Sequence, residues 1–115
     1  IARYGQARSS GGPAWKGLFI RARSGQEVRS VATGEVVFSD WLRGFGNLLI
    51  IDNGGGYLTL YSNNESLYKQ AGTRVRAGDA VASVGNTGGQ EEPGLYFELR
   101  HLGKPFDPMT WVSAR

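Results

Sequence analysis

His101 is the only histidine in the chain and cysteine is absent, which removes most of the chemistry a small domain performs through titratable side chains. Structural zinc takes four cysteine or histidine ligands, and catalytic zinc takes at least two histidines with a carboxylate. Cysteine nucleophiles, iron–sulfur clusters and disulfides are excluded outright. Ser62, Ser66 and Ser83 have no histidine at motif spacing to activate them, so a serine hydrolase is disfavoured. His101 itself falls in the turn His101-Leu102-Gly103-Lys104-Pro105, where a solvated loop residue is expected. These counts exclude most zinc chemistry and all cysteine chemistry, and they point to no cofactor. What remains is recognition: the aromatic residues Trp15, Phe19, Tyr61 and Tyr96, with the cations Lys16 and Arg100, can form the kind of aromatic and arginine surface that protein-binding hot spots favour.

Short strands must position these residues. The 115 residues include 18 glycines and 4 prolines, well above the average of roughly 12% combined, so turns are frequent. Between them lie short runs rich in valine, isoleucine, leucine and aromatics: Leu18 to Ala22, Glu27 to Val31, Glu35 to Asp40, Asn47 to Asp52, Tyr57 to Tyr61, Ala80 to Val84 and Leu95 to Leu99. Asp52-Asn53-Gly54-Gly55-Gly56 joins two of them with residues that tolerate positive φ, which predicts an antiparallel hairpin. No segment carries the i, i+3, i+4, i+7 pattern of a long helix, and at most single turns are expected, near Glu65 to Tyr68 and after Pro108. In the run from Leu95, alternation sends Leu95, Phe97 and Leu99 inward and Tyr96, Glu98 and Arg100 to the opposite face, with Glu98 placed to pair with Arg100. Ser24-Gly25-x-x-Val28-Arg29 and Ala71-Gly72-x-x-Val75-Arg76 share a pattern that fits either a duplicated unit or two ordinary turn–strand elements.

The net charge is +3, and the cations are scattered rather than gathered in a run, so nucleic acid is not an expected partner. Arg21, Arg23, Arg29, Arg74 and Arg76 read as a solubilising face, with contact to anionic cell-wall or lipid material as the sharper alternative. No apolar run approaches the roughly 18 residues of a membrane-spanning helix. The chain opens on Ile1 with no signal-peptide pattern and reads as a fragment of a longer protein.

From Trp15 onward the chain resembles the LytM-type, lysostaphin-like zinc metallopeptidase family. Trp15-Lys16-Gly17-Leu18-Phe19-Ile20 is similar to the family's His-x-Gly-x-Asp-x segment, and Gly25-x-x-Val28, Gly34-x-Val36 and Gly44-Phe45-Gly46-Asn47 to its next turns and loop. Asp52-Asn53-Gly54 resembles its hairpin, Tyr61-Ser62-Asn63 its Tyr-x-His, and Gly72-x-x-Val75-x-x-Gly78 its second glycine turn. Pro93-Gly94-Leu95-Tyr96-Phe97-Glu98 resembles its Pro-His-x-His-Phe-Glu strand. The resemblance implies an all-β barrel-sandwich hybrid of short antiparallel strands over residues 1–115.

By the same resemblance Trp15, Phe19 and Tyr96 stand where the family has its zinc ligands, and Asn63 and Gly94 where it has two assisting histidines. Tryptophan, phenylalanine and glycine offer zinc no side-chain lone pair, and tyrosine or asparagine is a poor substitute for imidazole. Endopeptidase activity is expected to be lost with the metal-activated water. Trp15-Lys16-Gly17, Asp40-Trp41-Leu42, Gly88-Gly89-Gln90 and Leu95 to Arg100 resemble the degenerate branch of the family, periplasmic division factors that bind and activate N-acetylmuramoyl-L-alanine amidases. That implies a binding groove at Lys16, Leu48, Tyr61, Tyr96 and Arg100. It also implies an N-terminal coiled coil, absent from this sequence, that docks to a membrane division complex. A non-catalytic peptidoglycan-binding module, with the same aromatics stacking on sugars, is the alternative. Asp107-Pro108 and Trp111 are expected to close one barrel end.

Overall fold

Alternating apolar residues on short segments bury one face only when other strands lie beside and across them, and every described element of this chain is such a strand. The computed structural model describes residues 17–89 and 91–106. In chain order the strands are β1 (Leu18–Arg21), β2 (Glu27–Arg29), β3 (Gly34–Leu42), β4 (Gly46–Gly54), β5 (Tyr57–Leu67), β6 (Arg74–Val75), β7 (Ala80–Val84), β8 (Gly94–His101) and β9 (Lys104–Phe106). The fold is all-β and every pairing between these strands is antiparallel.

The main path of the sheet runs β1-β8-β5-β4-β3-β6. The glycine turn makes β4 and β5 neighbours, as its residues predict: Gly54, Gly55 and Gly56 all have positive φ, and the Gly54 N–H donates to Asp52 Oδ1 over 2.9 Å. Two strands are shared. β5 keeps β4 along one edge, while its other edge pairs with β8 up to Ser62 and with β7 from Asn64 onward. β8 keeps β5 along one edge and takes β1 and then β9 along the other. Because β7 also pairs with β2, the fork in β5 carries the β2–β7 pair away from the β8 half of the sheet.

One apolar interior results, built from Val28, Val36, Leu49, Ile51, Tyr61, Val75, Val81, Ala82, Val84, Phe97 and Leu99. Each side chain of this size, fully buried, contributes about 1.5–3 kcal/mol. The two similar glycine turns play the same part in it. Gly25 (φ +88°) and Gly72 (φ +96°) each donate a backbone N–H to a core strand, to Val84 O and Val36 O, and deliver Val28 and Val75 into this interior.

The seven runs read from the sequence correspond to β1, β2, β3, β4, β5, β7 and β8. Near Glu65 to Tyr68, where the pattern admits at most a single turn, the chain is extended: β5 continues to Leu67, held by pairing of Ser66 with Ser83 and Leu67 with Ala82. That stretch is extended because of a strand 15 residues further along the chain, which local composition does not encode. The short strands β6 and β9 arise the same way, from pairing with β3 and β8. Asp107, Pro108 and Trp111 lie outside the described residues.

Candidate functional site

The site grows from β8. Phe97 and Leu99 enter the interior, with Leu95 packed against it, so Tyr96, Glu98 and Arg100 share the other face, as alternation requires. Tyr96 lies directly across from Phe19 on β1 and beside Phe45 of the β3–β4 loop, with ring centroids 6.2 Å apart at 48°. These three aromatics form a second, smaller apolar cluster. The Tyr96 hydroxyl donates to Glu98 Oε2 and the Arg100 Nε–H donates to Glu98 Oε1, each over 2.9 Å.

Phe19 and Gly94 are coupled by volume. A Cβ on Gly94 would stand 2.5 Å from Phe19 Cζ and 2.7 Å from the Ile20 carbonyl oxygen. The phenylalanine ring therefore fills the space a side chain at 94 would need.

Asn63 sits at the fork of β5, in the left-handed region (φ +70°) that asparagine tolerates better than most residues, and is 1% exposed. Its Nδ2 donates to Gly85 O (2.9 Å) and Gly94 O (2.8 Å), tying the end of β7 to the start of β8. Its Oδ1 accepts from Gly88 N (2.7 Å), and its own N–H donates to Phe45 O (3.0 Å). One buried residue, through its side-chain amide and its backbone N–H, thus fixes both loops beside the Tyr96 cluster. The loops also touch directly, since a Cβ on Gly46 would lie 2.4–2.6 Å from Thr87 and Gly88 atoms.

Phe19, Asn63, Gly94 and Tyr96 are thereby brought together. Their donor set does not fit zinc. Phe19 and Gly94 have no ligating atom, the Asn63 amide is engaged at both ends, and the Tyr96 hydroxyl is bound to Glu98. Among the described residues no group of three or more histidine, cysteine, aspartate or glutamate side chains could hold a metal ion. Trp15 and Lys16 lie outside the described residues.

Two expected groove residues are corrected. Tyr61 is completely buried in the main core, its ring edge-on to Phe97 with centroids 5.4 Å apart. It pairs across strands with Phe97, and directly opposed residues share a face, so Tyr61 follows Phe97 into the main core and does not join Tyr96 on the opposite face. Its hydroxyl accepts the Val31 N–H at 3.0 Å. Tyr61→Phe should accordingly cost about 1 kcal/mol in urea unfolding by leaving that donor unpaired, with no loss of any binding function. Leu48, next to inward-facing Leu49, is 1% exposed and presents no surface to a partner.

The sequence reading missed Asn63 as a structural hub, Phe45 as a wall of the cluster, and the exposed Trp41 (57%) and Leu42 (41%) at the end of β3. An asparagine just past the Tyr57 to Tyr61 run was the available signal for the first. The arginine face is largely ion-paired: Arg21 with Glu92 (3.1 Å), Arg29 with Glu27 (2.6 Å) and Arg74 with Glu35 (4.0 Å). His101 stacks on Tyr57, with centroids 4.1 Å apart, while Ser62 and Ser83 are buried.

Such a fold, with its glycine turns and its site at the start of β8, defines a class: residues 13–108 match Peptidase family M23, and the chain belongs to that family. Among its relatives it is 42% identical, over 98% of its length, to the murein hydrolase activator EnvC of Escherichia coli, of which the match covers 27%. It is 36% identical, over 87% of its length, to the murein hydrolase activator NlpD of the same organism, covering 26% of that protein. The chain therefore spans about a quarter of the length of these curated relatives. In fold it is similar to the catalytic domain of lysostaphin from Staphylococcus simulans, with TM-score 0.87 and 22% identity over 98% of this chain and 90% of that one. A zinc-containing peptidase from Vibrio cholerae aligns with TM-score 0.85 and 25% identity over 95% of this chain and 35% of the other.

Proposed function

We propose that this domain is a non-catalytic activator of N-acetylmuramoyl-L-alanine amidases, acting in the periplasm, where it binds the amidase's regulatory element and promotes splitting of septal peptidoglycan. The observation that carries the reading is the occupancy of the site: a phenylalanine ring stands where the family resemblance places a ligand and a fully engaged amide where it places an assisting histidine, next to a row in which buried Tyr96 and Glu98 lead to the part-exposed Arg100. The names of the relatives EnvC and NlpD support it. Activation needs only that the domain prefer the amidase's open state, because a ligand shifts an equilibrium by its differential affinity for the two forms. Lys16 and Arg100 would pair with carboxylates of the regulatory element, and Tyr96 would supply aromatic contact. A coiled coil on the longer protein would bring the domain to the division complex.

The test is dye release from labelled peptidoglycan by a purified amidase, with and without this domain. Tyr96→Ala and Arg100→Ala should each raise the domain concentration needed for half-maximal stimulation by about tenfold, roughly 1.4 kcal/mol, because each removes an interface anchor. Release by the domain alone would overturn the non-catalytic reading. A folded wild-type domain that leaves a competent amidase unstimulated yet sediments with purified sacculi would make it a peptidoglycan-binding module instead.

A further inference from the structure

Glu98 is 1% exposed and is the one charged residue in the buried set of described residues. Nothing about packing calls for a carboxylate there. Its neighbour across β5 is Leu60, itself 3% exposed, and on the β1 side its stem lies over Gly17, where an added Cβ would stand 2.9 Å from Glu98 Cγ. An apolar side chain of similar volume would fill this slot without the desolvation that a buried carboxylate suffers. The carboxylate differs from such a side chain in what it does at its two oxygens. One holds the Tyr96 hydroxyl and the other the Arg100 Nε–H, both at 2.9 Å, and the three residues stand in line on one face of β8.

We propose that Glu98 is a positioning residue for partner recognition, a role that rests on the activator reading above: anchored to the buried Tyr96 hydroxyl, it holds Arg100 in the geometry the partner meets. The Arg100 side chain is 32% exposed, so its root is held by a buried acid while its outer end reaches solvent. With Nε taken by Glu98, the guanidinium offers its end-on pair of Nη amino groups, which matches a carboxylate in bidentate fashion. The ligand chemistry at this end of the row is therefore an acidic side chain of the partner. Ordering the arginine in advance removes the loss of rotamer freedom that association would otherwise incur.

Glu98→Gln tests this with little change of volume, by removing the charge and half of the acceptor capacity. The Arg100 Nε–H resonance, read in the isolated domain by nitrogen-edited NMR, should be sharp and slow to exchange in the wild type and move toward free-arginine behaviour in the variant. Half-maximal stimulation of the amidase should require about tenfold more domain, in line with loss of a charge-assisted hydrogen bond, while Tm stays within about 3 °C. In an Arg100→Ala background the same substitution should change stimulation by less than about threefold, because its effect passes through the arginine. An Arg100 Nε–H resonance indifferent to Glu98→Gln overturns the proposal whatever the amidase does. So does a variant that unfolds, which would assign the acid to stability, and so does an undiminished effect in the Arg100→Ala background. A wild-type domain that fails to stimulate, with the resonance responding as expected, instead counts against the activator reading and confines Glu98 to ordering Arg100.

Discussion

Asn63→Ala is expected to destabilise the domain by about 4 kcal/mol, a large part of the 5–15 kcal/mol that holds a domain of this size together. Three side-chain hydrogen bonds are lost, to Gly85 O, Gly94 O and Gly88 N, at about 1 kcal/mol each. Alanine must also adopt the φ of +70° that asparagine tolerates, for about 1 kcal/mol more. Two companion variants separate the terms. Asn63→Gly relieves the backbone term and should be the milder change. Asn63→Asp retains the acceptor for Gly88 N but turns a donor into an acceptor facing two carbonyl oxygens, and should be at least as damaging as alanine. Urea unfolding of the three variants decides the matter. A loss under 1 kcal/mol for Asn63→Ala would mean that the fork of β5 is held by its strand pairings and not by this amide.

The second large effect is expected at Gly17. An alanine Cβ there would stand 2.0 Å from the Phe97 carbonyl oxygen and 2.9 Å from its carbonyl carbon. The obstacle is backbone of β8, which cannot rotate away, so β1 would have to separate from β8 and draw Phe19 off Tyr96. Overpacking of this kind costs about 3 kcal/mol. Gly25→Ala provides the control: that glycine has φ +88° but nothing within 4 Å of an added Cβ, so only the conformational term of about 1 kcal/mol applies. The two urea midpoints should therefore differ by about 2 kcal/mol in stability. Equal losses would show that the β1–β8 contact yields to a methyl group. A shift of the aromatic resonances of Phe19 and Tyr96 in Gly17→Ala would link this packing to the candidate site.

Both predictions concern residues that hold the site rather than form its surface. Phe19 and Gly94 show how this part of the fold is held: a ring occupies the room that a side chain at 94 would take, and the carbonyl of Gly94 is held by Asn63. A histidine placed at 94 alone would meet the Phe19 ring and the Ile20 carbonyl.

Much of this was legible in the residue pattern. Apolar alternation located seven of the strands, the Asp52 to Gly56 turn paired β4 with β5, and the alternation of Leu95 to Arg100 put Tyr96, Glu98 and Arg100 on one face. Tyr61 was misread because a tyrosine two residues before Asn63 was placed in the groove by family likeness, although its side of β5 depends on register with Phe97. Glu98 was read as a partner of Arg100, and its second bond, to Tyr96, follows from the same i, i+2 spacing.

Local chemistry, then, determined what this chain by itself must be: a glycine-punctuated β protein with one histidine and no cysteine. Periodicity and turn chemistry act over a few residues, so they survive in the sequence alone. Only the tertiary structure decided that β5 forks at Asn63, that Phe19 closes over Gly94, that Tyr61 belongs to the core and that Glu98 is buried between Tyr96 and Arg100. Each of these depends on register between strands far apart in sequence, and a shift of one residue in register would exchange the two faces of a strand.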